Sequence, residues 1–206
     1  MKKQTAIALR AWERGAGDYD RGIAKFERSL FVGGREWIGA RATGRVLEVA
    51  VGTGRSLPFY SSDAVVTGVD LSPAMLDLAR RRAAELDREV DFRVGDAERL
   101  AFDDGSFDTV VCALGLCAIP DAVTAIREMR RVLVPGGRLL LLDHVASTWP
   151  PIFALQWLLE RITIRTAGEH FTRRQLPVVE AEGFTIVESV RSKAGAVELL
   201  SAVTAR

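Results

Sequence analysis

The stretch "GRVLEVAVGTGRSLPFY", residues 44–60, decides how the chain folds. An apolar run from Val46 to Val51 leads into Gly52 and Gly54, and then into residues that read as the start of a helix. Glycine reaches backbone conformations that side chains disfavour, so the pair marks a tight turn that a ligand can approach closely. A P-loop needs Gly-Lys-Ser/Thr after a longer spacer, and no Lys stands here. A dinucleotide fingerprint G-x-G-x-x-G is met at its first two glycines only, because Leu57 occupies the third position.

Outward from this turn, strands alternate with helices. "RVLEVA" (45–50), "AVVTGVD" (64–70), "VDFRVGD" (90–96), "SFDTVVCAL" (106–114) and "RLLLLDHV" (138–145) read as strands, the last apolar enough to be buried on both faces. "SPAMLDLARRRAAEL" (72–86) reads as a helix with Ser72 as N-cap and Pro73 at its first position. "DAVTAIREMRRVL" (121–133) is a second helix, capped by Asp121 and stopped before the turn Pro135-Gly136-Gly137. Residues 147–164 and 172–183 predict two more helices, and "FTIVESVR" and "AVELLSAVTA" two closing strands. Residues 5–42 read as amphipathic helices broken around Gly15, Gly17, Gly33 and Gly34, with Trp12, Tyr19, Phe26, Phe31 and Trp37 on their apolar faces.

The pattern predicts an α/β fold: one doubly wound, seven-stranded, mostly parallel sheet in a single domain spanning 1–206. Residues 1–42 form a helical cap, 43–145 the ligand-binding core, and 146–206 the substrate-side helices and closing strands. With 28 Lys plus Arg against 27 Asp plus Glu, the chain carries no electrostatic footprint for nucleic acid. Cys112 and Cys117 are too few for a disulfide framework or a Cys-only zinc site, so reduced thiols and no metal are expected. "MKKQTAIALRAWERG" has too short an apolar run for a signal peptide, and no run approaches a bilayer span. A cytoplasmic location follows as the expectation, and membrane contact is not favoured; oligomeric state stays open.

Acids narrow the ligand. Glu48 stands just before the glycine turn, Asp70 closes the second strand and Asp96 the third. In a doubly wound sheet these strand ends converge on the ligand crevice. A pyrophosphate is repelled there, whereas a ligand bearing an ammonium and a sulfonium is attracted. S-adenosyl-L-methionine has both cations. Its ribose hydroxyls suit Asp70, its adenine amino group suits Asp96, and its backbone can pass close to Gly52 and Gly54.

From residue 40 onward the chain resembles the class I S-adenosylmethionine-dependent methyltransferases. "VLEVAVGTG", "VTGVDLSPAML", "VGDAERLAFDDGSFDTVV" and "EMRRVLVPGGRLLLLDH" are similar to four successive motifs of that family. The resemblance implies a Rossmann-like fold with N-terminal helices over the cofactor. It implies cofactor contacts at Tyr19, Glu48, Ala50, Gly52, Gly54, Asp70, Leu71, Met75, Asp96, Ala97, Glu98, Ala113 and Leu114. Ala50 stands where the family often has glycine. "DTVVCALGLCAIPD" and "AGEHFTRR" resemble the branch with bacterial phospholipid N-methyltransferases and the methyltransferase-like thiol methyltransferases, with Glu169 where a Cys would stand. Quinone-ring C-methyltransferases are more distant relatives.

Methyl transfer is an in-line displacement that needs alignment and exclusion of water rather than a covalent intermediate. The resemblance puts the acceptor pocket among the N-terminal helices, residues 113–120 and residues 144–157. Leu114, Leu116, Trp149, Phe153 and Trp157 are then its lining, which suits an apolar or aromatic small molecule. His144 and His170, the only two histidines, are the candidate proton acceptors. The rival readings are a phospholipid methyltransferase at a membrane surface and a protein that binds the cofactor without turnover.

Overall fold

The computed structural model describes residues 3–205; the first two residues of the basic N-terminus and the Phe26 side chain lie outside the described residues. Seven strands, β1 (Arg45–Val49), β2 (Val65–Asp70), β3 (Val90–Val94), β4 (Phe107–Ala113), β5 (Leu133–His144), β6 (Thr185–Ser192) and β7 (Val197–Val203), form one sheet. Their order is β3-β2-β1-β4-β5-β7-β6, and β1 to β5 pair in parallel. β7 runs antiparallel to both β5 and β6. This is the seven-stranded α/β architecture expected from the sequence.

Alternation along each central strand supplies two cores. Leu47, Val110, Cys112, Leu139 and Leu141 face α4 (Ala122–Val132) and α6 (Leu176–Ala181) on one side. Val46, Val111, Ala113, Leu140 and Leu142 face α2 (Gly34–Gly39) and Ala83 of α3 (Pro73–Glu85) on the other. Capping agrees with expectation: the Ser72 hydroxyl accepts from the Met75 amide, and the Asp121 carboxylate accepts from the Thr124 amide. The strand order places the reversal of winding between β1 and β4, the position at which open α/β sheets bind ligands.

Three local expectations are corrected. The glycine loop after β1 leads to a single 3-10 turn, Leu57–Phe59, and not to an α-helix. Pro58 has no N–H to donate, and the Phe59 carbonyl abuts α2 so closely that a Cβ on Gly39 would lie 2.1 Å from it. The N-terminal helix α1 (Lys3–Leu30) runs unbroken through Gly15 and Gly17, and the break comes at Gly33, whose φ is +75°. An added Cβ at Gly15, Gly17 or Gly22 would meet nothing within 4 Å. β5 begins five residues before Arg138, because the Pro135-Gly136-Gly137 turn is absorbed as an irregularity between the Phe107–Leu133 and Thr109–Arg138 pairs.

Candidate cofactor and acceptor site

The carboxyl ends of β1, β2, β3 and β4 open into one cavity, roofed by α1. Asp70, at the last position of β2, is fixed by two backbone amides: Gly52 N donates to Oδ2 at 2.9 Å and Ser72 N to Oδ1 at 2.9 Å. Burial pushes the Asp70 carboxyl up, and these amides oppose the shift. Asp96 accepts from the Glu98 amide at 2.9 Å, a local turn that follows β3. Gly52 sits at φ +56° with open space where a Cβ would stand, so its backbone faces the cavity unobstructed.

Nine of the residues the resemblance implied share this wall. Ala50 and Gly52 come from the loop after β1; Asp70, Leu71 and Met75 from the β2–α3 link; Asp96 and Ala97 from the loop after β3; Leu114 follows β4 and Tyr19 descends from α1. Thr5, Ala8 and Trp12 of α1 also line the cavity, as do Ile119 and Pro120. In the sequence Trp12 stands only on an apolar helix face, and helical periodicity is the one signal for it. Trp12 meets Tyr19 edge-to-face, with ring centroids 5.8 Å apart. Burial raises the Tyr19 phenol far above its ordinary range. Among the described residues, the charged side chains on this wall are Asp70 and Asp96 alone. A cation or a ligand rich in donors is therefore favoured, and a phosphate disfavoured.

Four residues stand off the wall. Glu48 shares the facing of Val46 in the alternation of β1, which turns it toward the opposite layer. There it is buried, Oε1 accepts from the Ser56 hydroxyl at 2.6 Å, and Oε2 has no hydrogen-bond partner. Burial pushes its carboxyl up, against the pull of Ser56 and of the Arg35 guanidinium. Gly54 packs against α3, where a Cβ would lie 3.3 Å from Ala79. Glu98 accepts from the Asp121 amide at 2.9 Å, and Ala113 is buried against the α2 layer.

α1 is held over the cavity by Glu13, Asp20 and Glu27, spaced seven residues apart. Glu13 accepts from the Ser72 hydroxyl and from Ala74 N at 3.2 Å. Asp20 accepts from Thr53 Oγ1 at 2.6 Å and from Arg82. Glu27 accepts from Arg35 Nε at 2.8 Å and from Arg55 Nε at 2.9 Å. The periodicity of these acids is visible in the sequence; their partners, up to 62 positions away, are not.

A second cleft adjoins the cavity, and Pro120 lines both. His144 lies in it with Leu116, Cys117 and Arg173. Its ring stacks on Phe171 at 4.4 Å between centroids, and its buried Nδ1 has no hydrogen-bond partner. Beside it the buried Asp143 accepts from Cys117 N at 3.0 Å and from His144 N at 2.8 Å, and burial pushes both Asp143 and the Cys117 thiol up. His170 is elsewhere: its Nδ1 lies 3.2 Å from Oε1 of Glu160, tying the loop to α5 (Pro150–Thr166). Of the expected acceptor lining, Leu114 faces the cavity and Leu116 the adjoining cleft. Trp149, Phe153 and Trp157 project into solvent from α5 and the residue before it, because the inward face of this helix is polar.

Residues 46–137 match the family described as "Methyltransferase domain". Over 129 residues the chain is 41% identical to a phosphatidylethanolamine N-methyltransferase of Cereibacter sphaeroides, covering 62% of this chain and 63% of that protein. Over 146 residues it is 38% identical to a demethylmenaquinone methyltransferase of Deinococcus radiodurans, covering 67% of this chain and 61% of that protein. The matched region thus spans about three fifths of the length of these two relatives. The fold is similar to that of a solved S-adenosylmethionine-dependent methyltransferase of Thermotoga maritima, with a TM-score of 0.71 at 21% identity over 95% of this chain and 99% of that one. With the glycine turn, the two wall carboxylates and the strand order together, these matches mark residues 46–137 as a methyltransferase domain of the class I S-adenosylmethionine-dependent type.

Proposed function

We propose that the protein transfers a methyl group from S-adenosyl-L-methionine to an oxygen, nitrogen or sulfur atom of an apolar or aromatic small molecule. The observation that carries this reading is the cavity wall, which among the described residues offers two carboxylates and no cationic side chain. Asp70 would accept hydrogen bonds from the ribose hydroxyls and Asp96 from the adenine amino group. Gly52 lets the ligand pass against bare backbone. When bound, S-adenosylmethionine supplies an electrophilic methyl group on a sulfonium.

The chain's own part is to align the acceptor and exclude water. Tyr19, Trp12 and Leu114 close the apolar side of the cavity. The second cleft is where the acceptor enters, and His144, which lines it, is the base we assign there. His170 we assign to positioning, through Glu160. A screen for released S-adenosylhomocysteine across phenols, thiols, amines and quinones tests the activity. Calorimetry with S-adenosylhomocysteine and with NAD tests the ligand separately. Binding of NAD in place of S-adenosylhomocysteine would sink the reading.

A second reading has its own support. The relative at 41% identity is named for phosphatidylethanolamine, so a phospholipid amine is the alternative acceptor. The same product-release assay on phosphatidylethanolamine vesicles distinguishes the two.

A further inference from the structure

α5 is built with its polar side inward. Gln156 accepts from Ser147 N at 2.8 Å and donates to the Val145 carbonyl at 2.9 Å. Glu160 accepts from Thr172 N at 2.7 Å and Oγ1 at 2.6 Å, and Thr163 donates to the Glu169 carbonyl at 3.0 Å. The outward side carries Phe153, Leu155, Trp157, Leu158, Leu159 and Ile162, each between 40% and 60% exposed. A helix that meets water shows the reverse arrangement. An exposed apolar face of this kind, with Arg161 and Arg165 set into it, marks an interaction site.

The charges on the helix say what the surface meets. Its one acid, Glu160, is turned inward and engaged. The exposed charges on α5 are Arg161 and Arg165, and the Arg161 guanidinium lies 3.4 Å from the centroid of the Trp157 ring. A second copy's α5 would therefore offer these arginines no carboxylate, whereas anionic headgroups would. Trp149, 56% exposed just before the helix, and Trp157 are the amphipathic rings that settle at headgroup level, where the Arg161 guanidinium stacked on Trp157 meets the headgroups. Among the described residues no helix is long and apolar enough to cross a membrane. At about 1.5 Å per residue the helix is roughly 25 Å long, suited to lying in the interface plane.

We propose that α5 is an interfacial docking helix that seats the protein on an anionic lipid bilayer. α5 also packs against α1, so docking sets the edge of the roofed cavity beside the lipid. This surface does not depend on methyl transfer; a chain that bound the cofactor without turnover would dock equally well.

Flotation with vesicles of phosphatidylcholine, with and without phosphatidylglycerol, tests it. The protein is expected to float with the mixed vesicles. Leu158→Glu/Ile162→Glu is expected to lower the bound fraction at least tenfold, with an unchanged melting temperature because both side chains are exposed. Arg161→Ala/Arg165→Ala is expected to weaken binding to the anionic vesicles by about fivefold per arginine and to remove most of its salt dependence. The proposal falls if the wild-type protein stays with the unbound fraction, or if the Leu158/Ile162 variant floats like it. It falls too if the wild type is a dimer that this variant splits without any vesicle binding, since that would assign the helix to a second copy.

Discussion

Asp70 carries two duties at once, and its replacement separates them. Its oxygens take the Gly52 and Ser72 amides, so it shapes the glycine turn as well as facing the cavity. Asp70→Ala is expected to cost about 1–3 kcal/mol of affinity for S-adenosylhomocysteine, read by calorimetry. Normal affinity in that variant would remove Asp70 from the ligand site. Glu48 is the opposite case, an acid whose burial disfavours its charge. A carboxyl raised in the folded state contributes stability below its ordinary value, about 4.3, and loses it as pH rises through the folded value. Glu48→Gln keeps the acceptor for Ser56 and removes the titration. The variant is expected to melt about 2–4 °C higher than wild type at pH 7, with the gap closing toward pH 4. The sequence showed that an acid stands before the turn. Which way it points depends on the two-residue period of β1 and on Ser56 and Arg35 across the layer, which no local pattern states.

At the scale of elements, α1 is fastened by charge at Glu13, Asp20 and Glu27. Partial burial would raise Asp20 and Glu27, but hydrogen bonds from Thr53 and Arg82 to the first, and from Arg55 and Arg35 to the second, outweigh it and hold both below the ordinary carboxylate range. Such groups contribute stability above their unfolded values and lose it as pH falls through the folded ones. Mild acid, below about pH 4, is therefore expected to free α1 while the sheet holds. Hydrogen exchange checks this: residues 3–30 should lose protection before β1 and β4 do. Simultaneous loss would mean that the helix and sheet are one cooperative unit. α3 and α4 were legible because Ser72 and Asp121 cap them locally. The unbroken course of α1 was not, because its glycines argue for a break and the ion pairs that override them join distant parts of the chain.

For the whole molecule, the alternation of strands and helices was enough to give the parallel sheet, and two late strands gave its antiparallel edge. The cavity followed from strand ends alone, since Asp70 and Asp96 stand at the carboxyl ends of β2 and β3, on one side of the point where the sheet's winding reverses between β1 and β4. The acceptor side was harder to see. Aromatic residues in 149–157 read as pocket lining, yet Gln156 and Glu160 turn the helix so that those rings face outward. Apolar periodicity locates a helix face; it does not say whether protein or another phase lies against it.

The three glycines of α1 with empty space beside them have a kinetic meaning. Each lowers helix stability by about 0.5–1 kcal/mol relative to alanine. A roof weakened in this way is expected to fray before its foundation does, and to let a spent donor out as it frays. Gly15→Ala/Gly17→Ala/Gly22→Ala should thus lengthen the residence time of S-adenosylhomocysteine roughly tenfold or more, as stopped-flow displacement would record. An unaltered residence time would mean that the product departs beneath a closed roof. A lengthened residence time carries a second expectation: release slows steeply on cooling, so that the chain's tempo in the cold is set by a helix rather than by chemistry.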